Sequence, residues 1–105
     1  MPDEQSRSGR ALILSDRAAS DLAEAIGWYE HERTGLGLEF LAAVDAALTL
    51  LLEHPSIGTA VRPRVRRTLL RRFPYALFYT NNEDRVRVLA IVHSNRHPAR
   101  WPRRA

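Results

Sequence analysis

The chain has 105 residues, a hydrophobic fraction of 45% and no cysteine, which is typical of one compact domain and excludes disulfides and thiolate metal sites. No apolar run approaches the ~20 residues that a transmembrane helix needs, and the polar N-terminus lacks the apolar core of a secretion signal. We therefore predict a cytoplasmic location and no membrane partner.

The net charge of +4 is unevenly distributed along the chain. Residues 1–61 carry four arginines and ten acidic side chains, whereas residues 62–105 carry twelve arginines and two acidic side chains. A basic half of this kind indicates an anionic partner, either nucleic acid, phosphate or an acidic protein segment.

The first predicted elements are a strand and a helix. An apolar run at residues 11–15 predicts the strand. Ser15 and Asp16 both favour a helix start, so the first helix should begin there and run to about Arg33. Its apolar stripe consists of Ala18, Leu22, Ile26 and Tyr29.

A second helix is predicted from about Leu38 to Glu53. The glycines of Thr34-Gly35-Leu36-Gly37 end the first helix, and Pro55 cannot continue the second. Because the break between the helices is so short, it favours an antiparallel helical hairpin. Residues 54–64 are predicted as a loop.

Three strands are then predicted in succession, at residues 65–70, 75–80 and 85–92. Pro74 indicates a tight connection before the second of them, and the turn formers at 81–84 separate it from the third. This spacing favours an antiparallel meander.

The predicted order is therefore β-α-α-β-β-β, an α+β fold in two layers. Each helix must bury its apolar stripe, and the sheet is the only large apolar surface available, so the helical hairpin should pack on one face of a small, mainly antiparallel sheet. Residues 1–10 are predicted to form a flexible N-terminal arm and residues 11–105 a single domain. The other sheet face, or its edge, remains for a partner.

Alternation along the last strand assigns its side chains to two faces. One set is uniformly apolar and should face the helices: Val86, Val88, Ala90 and Val92. His93 would then emerge on the opposite face, close to Arg96 and His97 in the tail.

A cluster of histidine and arginine can cleave RNA without a metal, because histidine transfers the proton and arginine stabilises the phosphorane charge. The candidates for such chemistry are His93 with Arg66, Arg71 and Arg96. Alternatively, His93 caps the strand and the arginines form a face that binds without reacting.

Trp101 either packs back on the sheet or anchors a partner. The spacing of the four histidines matches no ligand motif, and no nucleotide-binding loop is present, so we predict no metal, no cofactor and no small-molecule substrate.

Several landmarks occur together in a fixed order: Ala18-x-x-Asp21-Leu22, Trp28-Tyr29, Gly35-Leu36-Gly37-x-x-Phe40, Pro55-x-x-Gly58, Val65-Arg66, Arg72-Phe73-Pro74-Tyr75, Tyr79 and Val92-His93-x-x-Arg96-x-Pro98-x-x-Trp101. In this the chain resembles the RelE/ParE superfamily of type II toxin–antitoxin toxins, and within it the ParE-like "plasmid stabilisation" branch. The resemblance covers roughly residues 11–104, and the fold of that superfamily is the two-layer order predicted above.

The resemblance implies a bacterial toxin that a cognate antitoxin neutralises by laying its C-terminal segment over the hairpin and sheet. It also implies one of two targets, DNA gyrase in the ParE branch or mRNA in the ribosomal A site in the RelE branch. Some RelE-type nucleases carry a histidine followed by tyrosine near the C-terminus, whereas Ser94 follows His93 here.

Three hypotheses follow from the resemblance. The first is a ParE-like toxin that inhibits gyrase by binding and catalyses nothing; the second is a ribosome-dependent endoribonuclease; the third is a non-toxic module that only binds its antitoxin. The residues expected to bind the target are Arg66, Arg67, Arg71, Arg72, His93, Arg96 and Trp101. Those expected to bind the antitoxin are Leu22, Tyr29, Phe40, Tyr75 and Tyr79.

Overall fold

A computed structural model describes residues 10–94 of the chain. The predicted N-terminal arm therefore lies almost entirely outside the described residues, as do Arg96, His97 and Trp101. The described elements, in chain order, are β1 (Ala11–Leu14), α1 (Asp16–Glu32), α2 (Leu36–Glu53), β2 (Thr59–Arg62), β3 (Val65–Leu69), β4 (Tyr75–Asn81) and β5 (Arg85–His93). Within residues 10–94, neither helix has both the length and the apolar character that crossing a bilayer requires.

The five strands form one sheet in the order β1-β5-β4-β3-β2. Strand β1 runs parallel to β5, and every other neighbouring pair is antiparallel. The two helices pack on one face, so the predicted α+β architecture and the β3-β4-β5 meander are confirmed. The structure adds β2 within the segment that was predicted as a loop. This strand has only four residues, and an irregularity between Ala60 and Arg62 interrupts its pairing with β3, so it leaves no period-two pattern in the sequence.

The start of α1 is fixed to the sheet by Ser15. Its Oγ accepts a hydrogen bond from the Ala18 N–H at 3.0 Å, as an N-cap does, and donates another to the Leu89 carbonyl at 3.0 Å. One side chain therefore begins the helix and ties it to β5.

The turn between the helices depends on two glycines and one carboxylate. Gly35 has a φ of 91°, which favours glycine over any residue with a Cβ. The Glu30 carboxylate accepts hydrogen bonds from the N–H groups of Gly35 and Gly37 at 3.0–3.1 Å. A Cβ on Gly37 would lie 2.8 Å from the Ile26 carbonyl oxygen, so the close crossing of the helices requires glycine there.

The main core lies between the hairpin and the sheet and is centred on four aromatic rings. Tyr29 stacks on Phe40 at 5.2 Å, and both contact Phe73 edge-on at 4.9–5.1 Å. Tyr75 meets Phe40 edge-on at 4.9 Å. These arrangements are the favoured ones for aromatic pairs and add to the stability gained by burying the rings.

Strand β5 contains a bulge at Leu89 that changes which side chains face the helices. Phe78 pairs with Ala90 and Tyr79 with Val88, so Leu89 is an extra residue on β5. Before the bulge, Val88 faces the helices as predicted; after it, Ile91 does.

The face predictions for Ala90, Val92 and His93 are therefore wrong. Ala90 and Val92 belong to a second cluster on the opposite face of the sheet, and His93 pairs with Tyr75 on the helix side. An inserted residue interrupts the alternation of side chains between the two sheet faces, so each side chain after the bulge lies on the face opposite to the predicted one.

Candidate functional site

The loop between α2 and β2 is held by Tyr79 and Arg66. The Tyr79 hydroxyl donates to the Pro55 carbonyl at 2.7 Å and accepts from the Gly58 N–H at 3.0 Å. The Arg66 Nη1 donates to the carbonyls of Gly58 at 2.6 Å and Ser56 at 3.2 Å. Burial raises the pKa of the Tyr79 phenol above its ordinary value of 10.0, so the hydroxyl stays protonated and able to donate.

This loop explains the spacing Pro55-x-x-Gly58 and its partner Tyr79. A Cβ on Gly58 would lie 2.6 Å from the Tyr79 Oη and 2.8 Å from the Arg67 carbonyl oxygen, so a side chain there cannot be accommodated without movement. Arg66, predicted as a phosphate ligand, already uses one guanidinium nitrogen to hold the loop.

The predicted target-binding arginines that the structure describes line different surfaces. Arg66 lies near the start of β3, whereas Arg71 and Arg72 follow its end. Arg72 donates to Glu39 at 2.9 Å and its guanidinium lies 5.0 Å from the centroid of the Phe73 ring. This hydrogen bond from Arg72, together with the positive charge of Arg33, lowers the pKa of Glu39. Arg67 pairs with Phe78 and so points to the face away from the helices.

His93 lies in a small cleft of about 200 Å³ between α1 and β5. Its ring meets Tyr75 edge-on at 5.1 Å, and the same cleft is lined by Arg17, Asp21 and Trp28. The lining contributed by residues 10–94 includes neither Arg66 nor Arg71. Of the three arginines of the nuclease hypothesis, Arg66 and Arg71 therefore do not line the cleft of His93. The third, Arg96, lies outside the described residues together with Trp101.

The residues expected to bind the antitoxin are mostly core residues. Tyr29, Phe40, Tyr75 and Tyr79 are buried, and Leu22 is partly buried against the same cluster. Their side chains pack the hairpin on the sheet.

An exposed apolar groove of about 510 Å³ runs between α2 and β3. Leu50, Ile57 and Leu69 line it and are each about half exposed, and Arg71 and Arg72 lie at its rim. We call this surface the apolar groove. Sequence reasoning missed it because Leu69 falls within a predicted strand, where an apolar residue would ordinarily be buried, and because Ile57 falls in a segment predicted as a loop.

Residues 10–94 contain no cluster of three or more potential metal-ligating side chains.

The described residues thus form a two-layer α+β domain with a helical hairpin on a meander, an exposed apolar groove and an arginine-rich C-terminal half. The sequence model of the "ParE toxin of type II toxin-antitoxin system, parDE" matches residues 12–98. The chain therefore belongs to the ParE toxin family of type II toxin–antitoxin systems.

Comparison with solved structures agrees with this assignment at the level of the fold. A chain of the chromosomal ParDE TA system from P. aeruginosa matches with a TM-score of 0.71 at 19% sequence identity, covering 82% of this chain and 97% of that one. No curated protein matches the sequence. Membership of the family implies an antitoxin as a partner.

Proposed function

We propose that this protein is a toxin that a cognate antitoxin neutralises and that acts by binding DNA gyrase, without catalysing a reaction itself. The observation that carries the proposal is the match to the ParE family over residues 12–98. His93 packs its ring on Tyr75 in a cleft that Arg17 lines but that neither Arg66 nor Arg71, the described arginines of the nuclease hypothesis, lines. A metal-independent nuclease needs its proton-transfer group and its phosphate ligands around one scissile bond.

The antitoxin contact is proposed at the apolar groove. A disordered segment that folds on binding gains affinity by burying apolar surface, and Leu50, Ile57 and Leu69 offer such a surface. Arg71 and Arg72 at the rim would pair with acidic side chains of that segment.

The target is tested with purified toxin in a gyrase supercoiling assay. We expect supercoiling to fall in proportion to toxin concentration and cleaved DNA–gyrase complexes to accumulate. Adding the antitoxin encoded by the adjacent reading frame should restore supercoiling. Gyrase that retains full activity and yields no trapped complex would contradict the proposed target.

The nuclease alternative is tested by primer extension on mRNA from cells that express the toxin. The gyrase proposal expects no toxin-dependent cleavage sites in the ribosomal A site. Cleavage that is present in the wild type and abolished by His93→Ala would instead assign catalysis to His93.

A further inference from the structure

A second groove lies at one end of the sheet, where the β2–β3 and β4–β5 connections come together. Its volume is about 650 Å³. It is lined by Arg62, Arg64, Arg66, Arg85 and Arg87, with neutral polar side chains between them. We call this surface the arginine groove. Only Arg66 was among the residues predicted from the sequence to bind a target.

The arginine groove carries a concentrated positive charge. No acidic side chain of residues 10–94 contributes to its lining, although Glu83 and Asp84 lie in the neighbouring turn. None of Arg62, Arg64, Arg85 and Arg87 forms a described ion pair, whereas Arg17, Arg33 and Arg72 each pair with an acid elsewhere in the described chain. The Arg62 Nε is buried and has no hydrogen-bond partner among these residues. A buried donor of this kind is costly unless water or a ligand satisfies it.

The walls of the groove are fixed before any ligand arrives. The Asn82 side chain accepts hydrogen bonds from the N–H groups of Asp84 and Arg85 at 2.8–2.9 Å, which sets the β4–β5 turn. On the other wall, Arg66 is held by the carbonyls of Ser56 and Gly58. Arg85 and Arg87 extend from β5 and are exposed, so their guanidinium groups are accessible.

The chemistry of the lining selects a phosphate backbone over unpaired bases. Guanidinium groups bind phosphate oxygens bidentately, and Asn81, Thr80 and Ser56 can donate further hydrogen bonds to phosphate or sugar. Among residues 10–94 no aromatic side chain lines the groove, and single strands are bound largely by stacking their bases on aromatic rings. Contacts of this type carry no base specificity.

We propose that the arginine groove binds the phosphate backbone of duplex DNA without sequence preference. The choice of DNA over RNA rests on the proposed function, because a gyrase inhibitor meets its target on DNA. In that setting the groove holds the toxin on the DNA segment that gyrase occupies, while the enzyme itself is contacted elsewhere.

The test measures binding of the full-length protein to a fluorescent duplex of about 20 base pairs by anisotropy, in the absence of gyrase. Four phosphate contacts predict a slope of about −3.6 for log affinity against log salt, equivalent to a loss of about 150-fold between about 50 and about 200 mM KCl. Replacing Arg85 and Arg87 together by glutamine should halve that slope and weaken binding by at least about tenfold at about 100 mM KCl.

The matched control replaces Arg17 and Arg33 by glutamine, which removes the same charge from the helical hairpin. We expect its affinity to stay within about twofold of the wild type if the groove, and not net charge, binds DNA. Thermal unfolding of both variants should match that of the wild type, because the replaced side chains are exposed.

Several results would overturn the assignment. They are undetectable binding of the wild type at low salt, equal losses in the two double variants, tighter binding of an RNA duplex, or stronger competition by poly-glutamate than by unlabelled DNA. The same measurements test the gyrase proposal independently of the groove assignment. DNA binding without gyrase inhibition leaves the groove assignment standing and rejects gyrase, whereas gyrase inhibition by a protein that binds no DNA does the reverse.

Discussion

Tyr79 shows how a single side chain organises a loop in this fold. Its hydroxyl bonds to Pro55 and Gly58, its ring lies in the core between sheet and helices, and Gly58 has no side chain because the hydroxyl occupies that space. The hydroxyl is buried, so its two hydrogen bonds have no water to replace them if they are lost.

Tyr79→Phe should therefore destabilise the protein by about 1–3 kcal/mol, because the Gly58 N–H and the Pro55 carbonyl lose their partner while the ring remains. Urea unfolding followed by circular dichroism measures the change.

Gly58→Ala should also be destabilising, and its cost should be smaller in the Tyr79→Phe background, where one of the two clashing atoms is gone. Strictly additive effects would contradict the contact.

The same hydroxyl predicts a dependence of stability on pH. Burial raises the pKa of Tyr79 in the folded state above 10.0, so the folded protein favours the protonated phenol. The stability that this group contributes is complete below the unfolded-state pKa and is lost as pH rises through the folded-state pKa. Between about pH 9 and about pH 11, the wild type should lose more stability than Tyr79→Phe. Parallel losses would show that the other tyrosines account for the effect.

At the scale of elements, side chains at the start of α1 provide hydrogen bonds to the part of β5 that has no neighbouring strand on that side. Strand β1 pairs with β5 only as far as Val88, and the chain then enters α1. Beyond that point the Asp21 carboxylate accepts a hydrogen bond from the Ile91 N–H at 2.9 Å, and Ser15 donates to the Leu89 carbonyl. Side chains of the helix thus satisfy a sheet edge that would otherwise be open.

Asp21→Ala should cost about 1–3 kcal/mol, because the Ile91 N–H is left without an acceptor in a partly buried place. Asp21→Asn keeps an acceptor oxygen at the same position and should retain most of the stability. The ion pair of Asp21 with Arg17, at 3.4 Å, contributes little because the Arg17 side chain is about half exposed. Urea unfolding, with hydrogen exchange of the Ile91 amide, distinguishes the two variants. An alanine variant as stable as the asparagine variant would contradict this role.

The elements that the sequence predicts well are those whose signals are local. The cap at Ser15, the glycine turn at Gly35 and the meander around Pro74 are each specified by neighbouring residues. The bulge at Leu89 is specified by tertiary pairing, since an apolar residue in an apolar strand carries no mark of being the extra one. Consequently the face of His93, four residues further on, could not be predicted.

Over the whole molecule, the arginines that are concentrated in the second half of the chain line more than one surface of the fold. The arginine groove lies near the start of β3. Arg71 and Arg72 follow the end of β3 and lie beside the apolar groove. The sequence predicts a basic C-terminal half. It does not predict that the arginines of this half line two different surfaces, because that depends on which strand ends the sheet brings together. Tyr29 and Phe40, which the family resemblance implies as antitoxin contacts, lie in the core.

The apolar groove provides the final prediction, at the surface where we place the antitoxin. Leu50→Glu and Leu69→Glu should each weaken antitoxin binding by at least tenfold, about 1.4 kcal/mol, because a charge in the groove opposes burial of apolar surface and repels acidic partner residues. Isothermal titration calorimetry with the adjacent-frame antitoxin measures this. Leu38→Glu is the matched control, since Leu38 is 71% exposed and lies outside the groove. Weaker binding by this control alone would move the antitoxin to the tip of the hairpin.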